Sequence, residues 1–557
     1  MENNLIADNF SLLAKLIDIH GDDSFKAKSY ASAAFAIEKL PVQLSTLPIE
    51  KIQTINGIGK AISQKIQVLI ETNQLPVLEE YIAKTPPGIF DLMNIKGLGP
   101  KKIYTIWHDL GVESVGELLY ACEENRLLLY KGFGAKTQLN VKEAIEFYLA
   151  HQGSYLFSQV EEYGLALTER LNQDFEGNQF LITGDFNRHA EVIDTIEWVT
   201  DTDRLALQNY FESRQYETSL LDNILRAKGE ENIQLQFIFV TAEQIISHYF
   251  QHNASIDFMA KWKEKYGWDE AAHYSTEASI FDSHGISFIP PYLREDATII
   301  DSAENHSLPI VIQPSDIKGI IHSHSDWSDG SYSIKQMAEH AIKKGLEYLV
   351  ISDHSQSAFY AKGLFPNRIK AQHQLIDELN DELKPFKIFK SIESDILNDG
   401  NLDYNDNILS TFDLVIASVH SNLKMSEEKA MMRLLNAISN PFTTILGHMT
   451  GRLLLSRNGY PVNYEVIIDA CAKNKVAIEL NAHPRRLDID WRHIAKVVKN
   501  GVLISINPDA HALDGFDDIR YGVLVAQKAG LTAQQNLSSF SLKEFEDFLQ
   551  KQVAKRQ

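Results

Sequence analysis

Cysteine is scarce in this 557-residue chain: Cys122 and Cys471 are the only two, and they lie far apart. Neither a disulfide framework nor a CxxC zinc site can be assembled from them, and a reducing cytoplasm is their natural setting. Long apolar runs are missing as well. No stretch has the length a membrane span requires, and MENNLIADNFSLLAKL lacks the charged-then-apolar order of a secretory leader. The chain therefore reads as soluble, cytoplasmic and monomeric, with no membrane partner. Positive charge is the third shortage. With 53 Lys and Arg against 75 Asp and Glu, the net charge is −22, which argues against a protein that coats nucleic acid through a basic surface. Backbone N–H groups and bound metals stay open as phosphate partners.

Apolar residues are plentiful. A hydrophobic share of 44% over this length predicts about three or four domains with separate cores. Residues 1–150 read as short helices between glycine turns, because the apolar spacing in NFSLLAKLIDI and SYASAAFAIEKL is helical. Residues 151–300 mix β-rich runs (QFLITGDF, VIDTIEWVT, QLQFIFVT) with helices. FIPPYLRED and the proline-bearing stretch after it, including residues 301–314, read as a connector. From 315 to 557, strands alternate with amphipathic helices, the pattern of parallel βα units.

Three glycine hairpins recur in the first part: INGIGKAISQKI around Gly57 and Gly59, IKGLGPKKI around Gly97 and Gly99, and YKGFGAKT around Gly132 and Gly134. Glycine permits the tight turn and a close approach of phosphate to the backbone, and the following helix offers its free N–H groups. A pair of glycines that only caps two packed helices is the bland reading of one copy; repetition favours contact with a DNA backbone. Lys60, Lys101, Lys102 and Lys136 follow the glycines and add charge.

Nine metal-ligand residue types mark the last part, nearly all where a hydrophobic run stops. They are His322, His324 and Asp329 in IIHSHSDWSDG, His354 in YLVISDHS, Glu393 in FKIFKSIESD, His420 in LVIASVHS, His448 in TTILGHM, and Asp509 and His511 in LISINPDAH. A lone HxH carries little weight. Nine such residues after successive strands point to a β/α barrel, whose active site forms at the C-terminal strand ends. Imidazole mixed with carboxylate suits zinc, manganese or iron better than calcium. Arg452 and Arg457 follow the His448 strand, either to grip a substrate phosphate or as exposed loop arginines. His483 also ends a strand, while His306, His340 and His373 read as surface histidines.

The order of hairpins, mixed α/β region, FIPPYLRED and metal-type barrel resembles the bacterial family X DNA polymerases with a fused PHP domain. The resemblance implies a multidomain α/β chain: a helix-hairpin-helix domain, a polymerase-β-like α+β palm and a C-terminal distorted (β/α)7 PHP barrel. It implies three divalent metals, Mn2+ or Zn2+. His322, His324, Glu393 and Asp509 would hold the first, Glu393 with His420 and His448 the second, and Asp329, His354 and His511 the third.

The palm departs from the family pattern. Its Gly-Ser position reads Gly184-Asp185, Asp194 is followed by Ile196 where a second aspartate is expected, Gln234 stands for the third, and Gln251-His252-Asn253 replaces the nucleotide-contacting loop. One carboxylate cannot clamp two magnesium ions. An unusual set of Glu191, Asp194 and Glu197 is the alternative, although strand alternation would put Asp194 and Glu197 on opposite faces. Lys65 matches the position of a family lyase lysine, or is a solvated surface residue. The expected function is a metal-dependent DNA phosphodiesterase, a 3′–5′ exonuclease with polymerase activity lost. A phosphomonoesterase acting on a small metabolite, and a non-catalytic DNA-binding scaffold, are the rivals.

Overall fold

A computed structural model describes residues 1–123, 126–150, 153–229, 232–455 and 458–556. The chain forms two compact units, Met1–Gln152 and Gly153–Gln557. None of the described helices is long and apolar enough to cross a membrane.

The first unit is helical and holds two apolar cores. One gathers Ile6, Phe10, Leu13, Ile66 and Leu78; the other gathers Ile89, Leu92, Ile106, Leu118 and Ile145. In each hairpin the first glycine, Gly57, Gly97 or Gly132, has a φ of 89, 88 or 96°, which only glycine adopts without strain. The second glycine immediately precedes a helix: Gly59 before Lys60–Thr72, Gly99 before Pro100–Tyr104 and Gly134 before Ala135–Ala150.

The second unit opens with a five-stranded sheet in the order Phe180–Thr183, Thr195–Thr200, Gln234–Phe239, Ile224–Lys228 and Glu217–Leu221. Its core faces inward through Ile196, Trp198, Leu235 and Phe237. A separate aromatic core follows around Phe250, Phe258, Trp262 and Phe281, so residues 151–300 contain two cores rather than one.

FIPPYLRED, expected to be a connector, is an anchored segment. Arg294 is fully buried, pairs with Glu277 at 2.6 Å, donates to the Ile289 carbonyl at 2.8 Å and lies over the rings of Phe250 and Phe281. The 301–314 stretch is likewise docked: Ile312 is buried in the barrel core, and its N–H and carbonyl bond Leu531 O and Gln527 Nε2, each at 2.8 Å. Proline discourages regular elements but does not prevent burial of the apolar residues beside it.

The barrel is a seven-stranded parallel sheet in chain order: Gly319–Ile320, Tyr348–Ile351, Lys387–Asp395, Leu414–Ser418, Ile445–Leu446, Ala477–Asn481 and Ile504–Asn507. A parallel bridge from Ser323 to Ala510 brings first and last strands together, and His324 N donates to Ala510 O at 2.8 Å. Both strand faces are buried, which is why these strands read as apolar runs rather than alternating ones. The helix Leu542–Lys555 closes the N-terminal end, with Phe545 stacked on Tyr348 at 4.6 Å.

Sheet and barrel meet through a buried cation. Lys528, 2% exposed, reaches Glu295 at 3.4 Å, Glu191 at 3.7 Å and the His189 carbonyl at 3.4 Å. His189 stacks on Tyr292, and burial reinforced by Lys528 holds its imidazole at about 4.

Two outcomes follow. Arg294→Leu leaves Glu277 without its cation in a desolvated site and should cost about 3–5 kcal/mol in urea unfolding; a cost under about 1 kcal/mol would refute the anchoring role. Because the folded His189 binds its proton less readily than the unfolded residue, its contribution is full above about pH 6.5 and is lost as pH falls toward 4. Melting curves of His189→Phe should therefore lose less stability than the parent between pH 7 and pH 5.

Candidate metal centre

All nine barrel residues named above meet at the C-terminal mouth. Glu393 projects from within its strand; the other eight lie in the loops just after theirs. His322 and Asp509, where strand turns to loop, have φ of 67 and 54°. Such left-handed backbone at non-glycine residues is the kind of strain tolerated where a site demands it.

Four groups bring one ligand atom from each residue within 4.8 Å of the others: His324, Asp329, His354 and His511; His322, Glu393 and His448; His322, His324 and Asp509; and His354, Glu393 and His420. The grouping differs from the expected one. His324 reaches toward two groups, its Nε2 standing 3.1 Å from Asp509 and its Nδ1 3.9 Å from Asp329. His420 and His448 fall in separate groups that share Glu393.

Glu393 is the hub. His448 Nε2 lies 2.9 Å from its carboxylate, His354 Nδ1 3.0 Å, His420 Nε2 3.1 Å and His322 Nε2 3.3 Å. Burial alone would raise its pKa, yet His420, His322 and His354 hold it well below the usual carboxylate range. Burial also opposes charge on His420, but Glu393 and Asp395 raise it to about 10. His324 is driven the other way, to about 3, by burial and the neighbouring His511 and His354.

The donor set fits divalent cations. Metal bonds of about 2.1 Å place two ligands of one ion roughly 3.0 Å apart in octahedral and roughly 3.4 Å apart in tetrahedral geometry, and the imidazole nitrogens round Glu393 stand 2.9–3.3 Å from it. Nε2 of His322, Nδ1 of His324 and Oε2 of Glu393 are buried without a hydrogen-bond partner. Among the described residues, every such group of three or more lies in this mouth.

Supporting residues that the sequence reading overlooked orient these donors. Glu479, fully buried, accepts from His322 Nδ1 at 2.7 Å, from Asn507 Nδ2 at 2.8 Å and from the His448 N–H at 3.1 Å. Asp395 bonds His420 Nδ1. In both imidazoles this turns Nε2 toward Glu393. Asp353 accepts from Ser325 N, Ser325 Oγ, Ser328 Oγ and Gln372 Nε2 between 2.5 and 2.8 Å, so it is spent on shaping the loop that carries His324 and Asp329. A signal existed: Glu479 is the one charge in the buried strand AIELN, and Asp395 sits two residues after Glu393.

Arg452 does not face a substrate. Its guanidinium donates to Arg486 O at 2.9 Å, to Asp490 at 2.8 Å and to Leu487 O. Arg457 lies outside the described residues. His483 is partly buried close to Asp509, and its Nδ1 accepts the Arg485 N–H at 3.2 Å.

The palm-like sheet has a cleft of about 690 Å3, and its register corrects the expected alignment. Thr195 and Glu197 pair with Gln234 and Gln236, and the cleft is lined by Thr195, Glu197 and Gln236; Ile196 points into the core. Asp194 also lines the cleft, because it falls in the break between Val192–Ile193 and Thr195–Thr200 where strand alternation lapses. Glu191 is instead on the Lys528 seam. Glu197 is engaged by His252 Nδ1 at 2.9 Å and Gln236 Nε2 at 2.6 Å. Arg188 is taken up by Asp185, by Glu295 at 3.2 Å and by the His252 carbonyl at 3.1 Å.

Replacing Glu479 or Asp395 with Ala should weaken Mn2+ binding by about 10- to 100-fold while the fold is kept. Calorimetric titration alongside circular dichroism checks this, and unchanged affinity in both variants would refute the orienting role.

Family models agree with this layout. A helix-hairpin-helix domain matches residues 1–75, a SAM-like helix-hairpin-helix tandem residues 89–146, and a PHP domain residues 321–483. The DNA polymerase/3′-5′ exonuclease PolX of Bacillus subtilis (strain 168) is 33% identical over 97% of this chain and 98% of its own length. A probable phosphatase of Thermoanaerobacter sp. (strain X514) is 30% identical over 38% of this chain and 86% of its own. A probable phosphatase of Escherichia coli is 27% identical over 34% of this chain and 77% of its own. Identity at that level, running through hairpins, palm and barrel alike, leaves one assignment: the chain belongs to the bacterial PolX family, the family X DNA polymerases with a fused PHP domain.

Proposed function

We propose that this chain is a cytoplasmic, metal-dependent DNA phosphodiesterase that shortens DNA from 3′ ends, with the barrel mouth as its catalytic centre and the palm as a scaffold without polymerase activity. The convergence of nine donors at the barrel mouth, with four imidazoles round buried Glu393, carries this reading. His322, His324 and Asp509 would hold one divalent ion, Glu393 with His322 and His448 or with His354 and His420 another, and His324, Asp329, His354 and His511 a third. Three Mn2+ or Zn2+ ions satisfy the set. Such ions, when bound, would lower the pKa of a bound water toward about 7 and neutralise charge growing on phosphate oxygens.

The chain supplies the geometry. Glu479 and Asp395 fix the imidazoles, and the buried mouth limits solvent competition. The hairpins bring DNA. At Gly59, Gly99 and Gly134 an added Cβ would meet nothing within 4 Å, and the first two have ordinary negative φ of −79 and −86°. Glycine is thus not required there by the fold. Its value lies in letting an external phosphate approach the N–H groups of Lys60, Lys101 and Lys102 and their helix starts.

The strand pattern at the cleft supports an inactive palm. Where two carboxylates would flank one strand position there are Thr195 and Glu197, and Glu197 is already bonded to His252 and Gln236.

The test supplies 5′-labelled single-stranded and gapped DNA and a phosphomonoester to the full chain with Mn2+. Stepwise shortening is expected, falling by at least about 100-fold in the His322→Ala, His324→Ala double variant. Phosphate release from the monoester alone would instead favour a phosphatase activity like that named for the shorter relatives. Primer extension on adding dNTPs, at a rate comparable with shortening, would overturn the inactive palm.

A further inference from the structure

The metal donors leave one substrate contact open: something must hold the non-bridging oxygens of the phosphate that is hydrolysed. Arg452, at the expected place in sequence, is fully consumed by the loop Ala482–Asp490 that it supports. That loop carries another arginine. Arg486 Nε stands 3.6 Å from Asp509 Oδ2, and the side chain is 21% exposed. Among the described residues, its terminal nitrogens make no hydrogen bond.

Asp509 divides its two oxygens. Oδ1 faces the cluster, 3.1 Å from His324 Nε2 and 3.5 Å from His322 Nε2. Oδ2 faces Asn481 Nδ2 at 3.1 Å and Arg486. The guanidinium is therefore held one carboxylate away from the donors that group around His322 and His324, with its forked end directed to no protein acceptor.

The loop is built to keep it there. Asp488 Oδ2 accepts from Thr450 N and Oγ1, both at 2.9 Å, and Asn481 N donates to Asp488 O at 2.6 Å. Arg452 then ties down the carbonyls of Arg486 and Leu487, and Leu454 N that of Arg485 at 2.6 Å. Neighbouring Arg485 is exposed and takes no part in this bracing with its side chain.

We propose that Arg486 is the phosphate-gripping residue of the barrel, its forked donors taking the non-bridging oxygens of the phosphate under attack, and that Arg452 is the positioning residue that fixes its loop. Planar, bidentate donation to phosphate is what guanidinium does better than ammonium. The assignment to a DNA phosphodiester rests on the function proposed above; the grip on phosphate does not.

Calorimetric titration of inorganic phosphate into the Mn2+-loaded full chain tests the grip directly. Arg486→Ala should weaken phosphate binding by about 10- to 100-fold, Arg486→Lys should recover only part of it, and Arg485→Ala should stay within about threefold of the parent. Bound Mn2+, counted by plasma emission, and the melting temperature should match the parent in all three. On DNA, kcat/KM of Arg486→Ala should fall to a similar degree. No phosphate binding by the parent, or equal binding by Arg486→Ala, would overturn the grip, and so would loss of Mn2+ from Arg486→Ala, because the residue would then act only by supporting Asp509. A parent that binds phosphate through Arg486 but leaves DNA intact would remove the nuclease reading and keep this one.

Discussion

A single buried carboxylate organises the catalytic half of this protein. Glu393 sits on the third strand with four imidazole nitrogens within 3.3 Å, and those imidazoles come from four different strand ends. Such a meeting is possible only because the sheet curls until Ser323 reaches Ala510. A carboxylate this deeply buried is costly unless positive charge is supplied. Protons on the histidines supply some of it, yet His324 is pushed toward neutrality by the same crowding that charges His420. Cations relieve both constraints together, which makes metal binding the state for which the mouth is arranged.

The palm shows the opposite logic. There Arg188 is paired with Asp185 and Glu295, and Glu197 with His252 and Gln236. A site whose charges are neutralised internally has little left to offer a triphosphate or its metals. Glu295 links this cleft to the barrel, since it also faces Lys528. The sheet thus serves the barrel as a buttress through the Lys528 seam.

Much of this was legible in the sequence, and the reasons are physical. Barrel strands buried on both faces announce themselves as apolar runs, and a histidine or acid where such a run stops stands out against it. The first glycine of each hairpin was legible because a φ near 90° favours no other residue. What escaped was whatever depends on three-dimensional partners. Arg452 and Arg486 are indistinguishable as letters; only the carbonyls around one and the open end of the other separate them. Asp194 was placed on the wrong face because period-two alternation was extended through a strand break. FIPPYLRED looked like a linker because proline content reports the absence of regular structure, not the absence of burial, and Arg294 at its centre is among the largest fully buried side chains in the molecule.

The acid excess can now be reconciled with a nucleic-acid substrate. A net charge of −22 repels DNA at long range, so affinity must come from short-range contacts that water and salt do not screen. The hairpins provide backbone N–H groups beside glycines with open space in front of them, and the barrel provides metal-type donors flanked by Arg486. Neither depends on a broad basic surface. A chain arranged in this way gains little from DNA that merely passes by, because repulsion is felt everywhere and attraction only where a phosphate seats against an N–H turn or in the mouth. Attraction confined to such seats, rather than spread over a basic surface, is what the charge distribution of this chain permits.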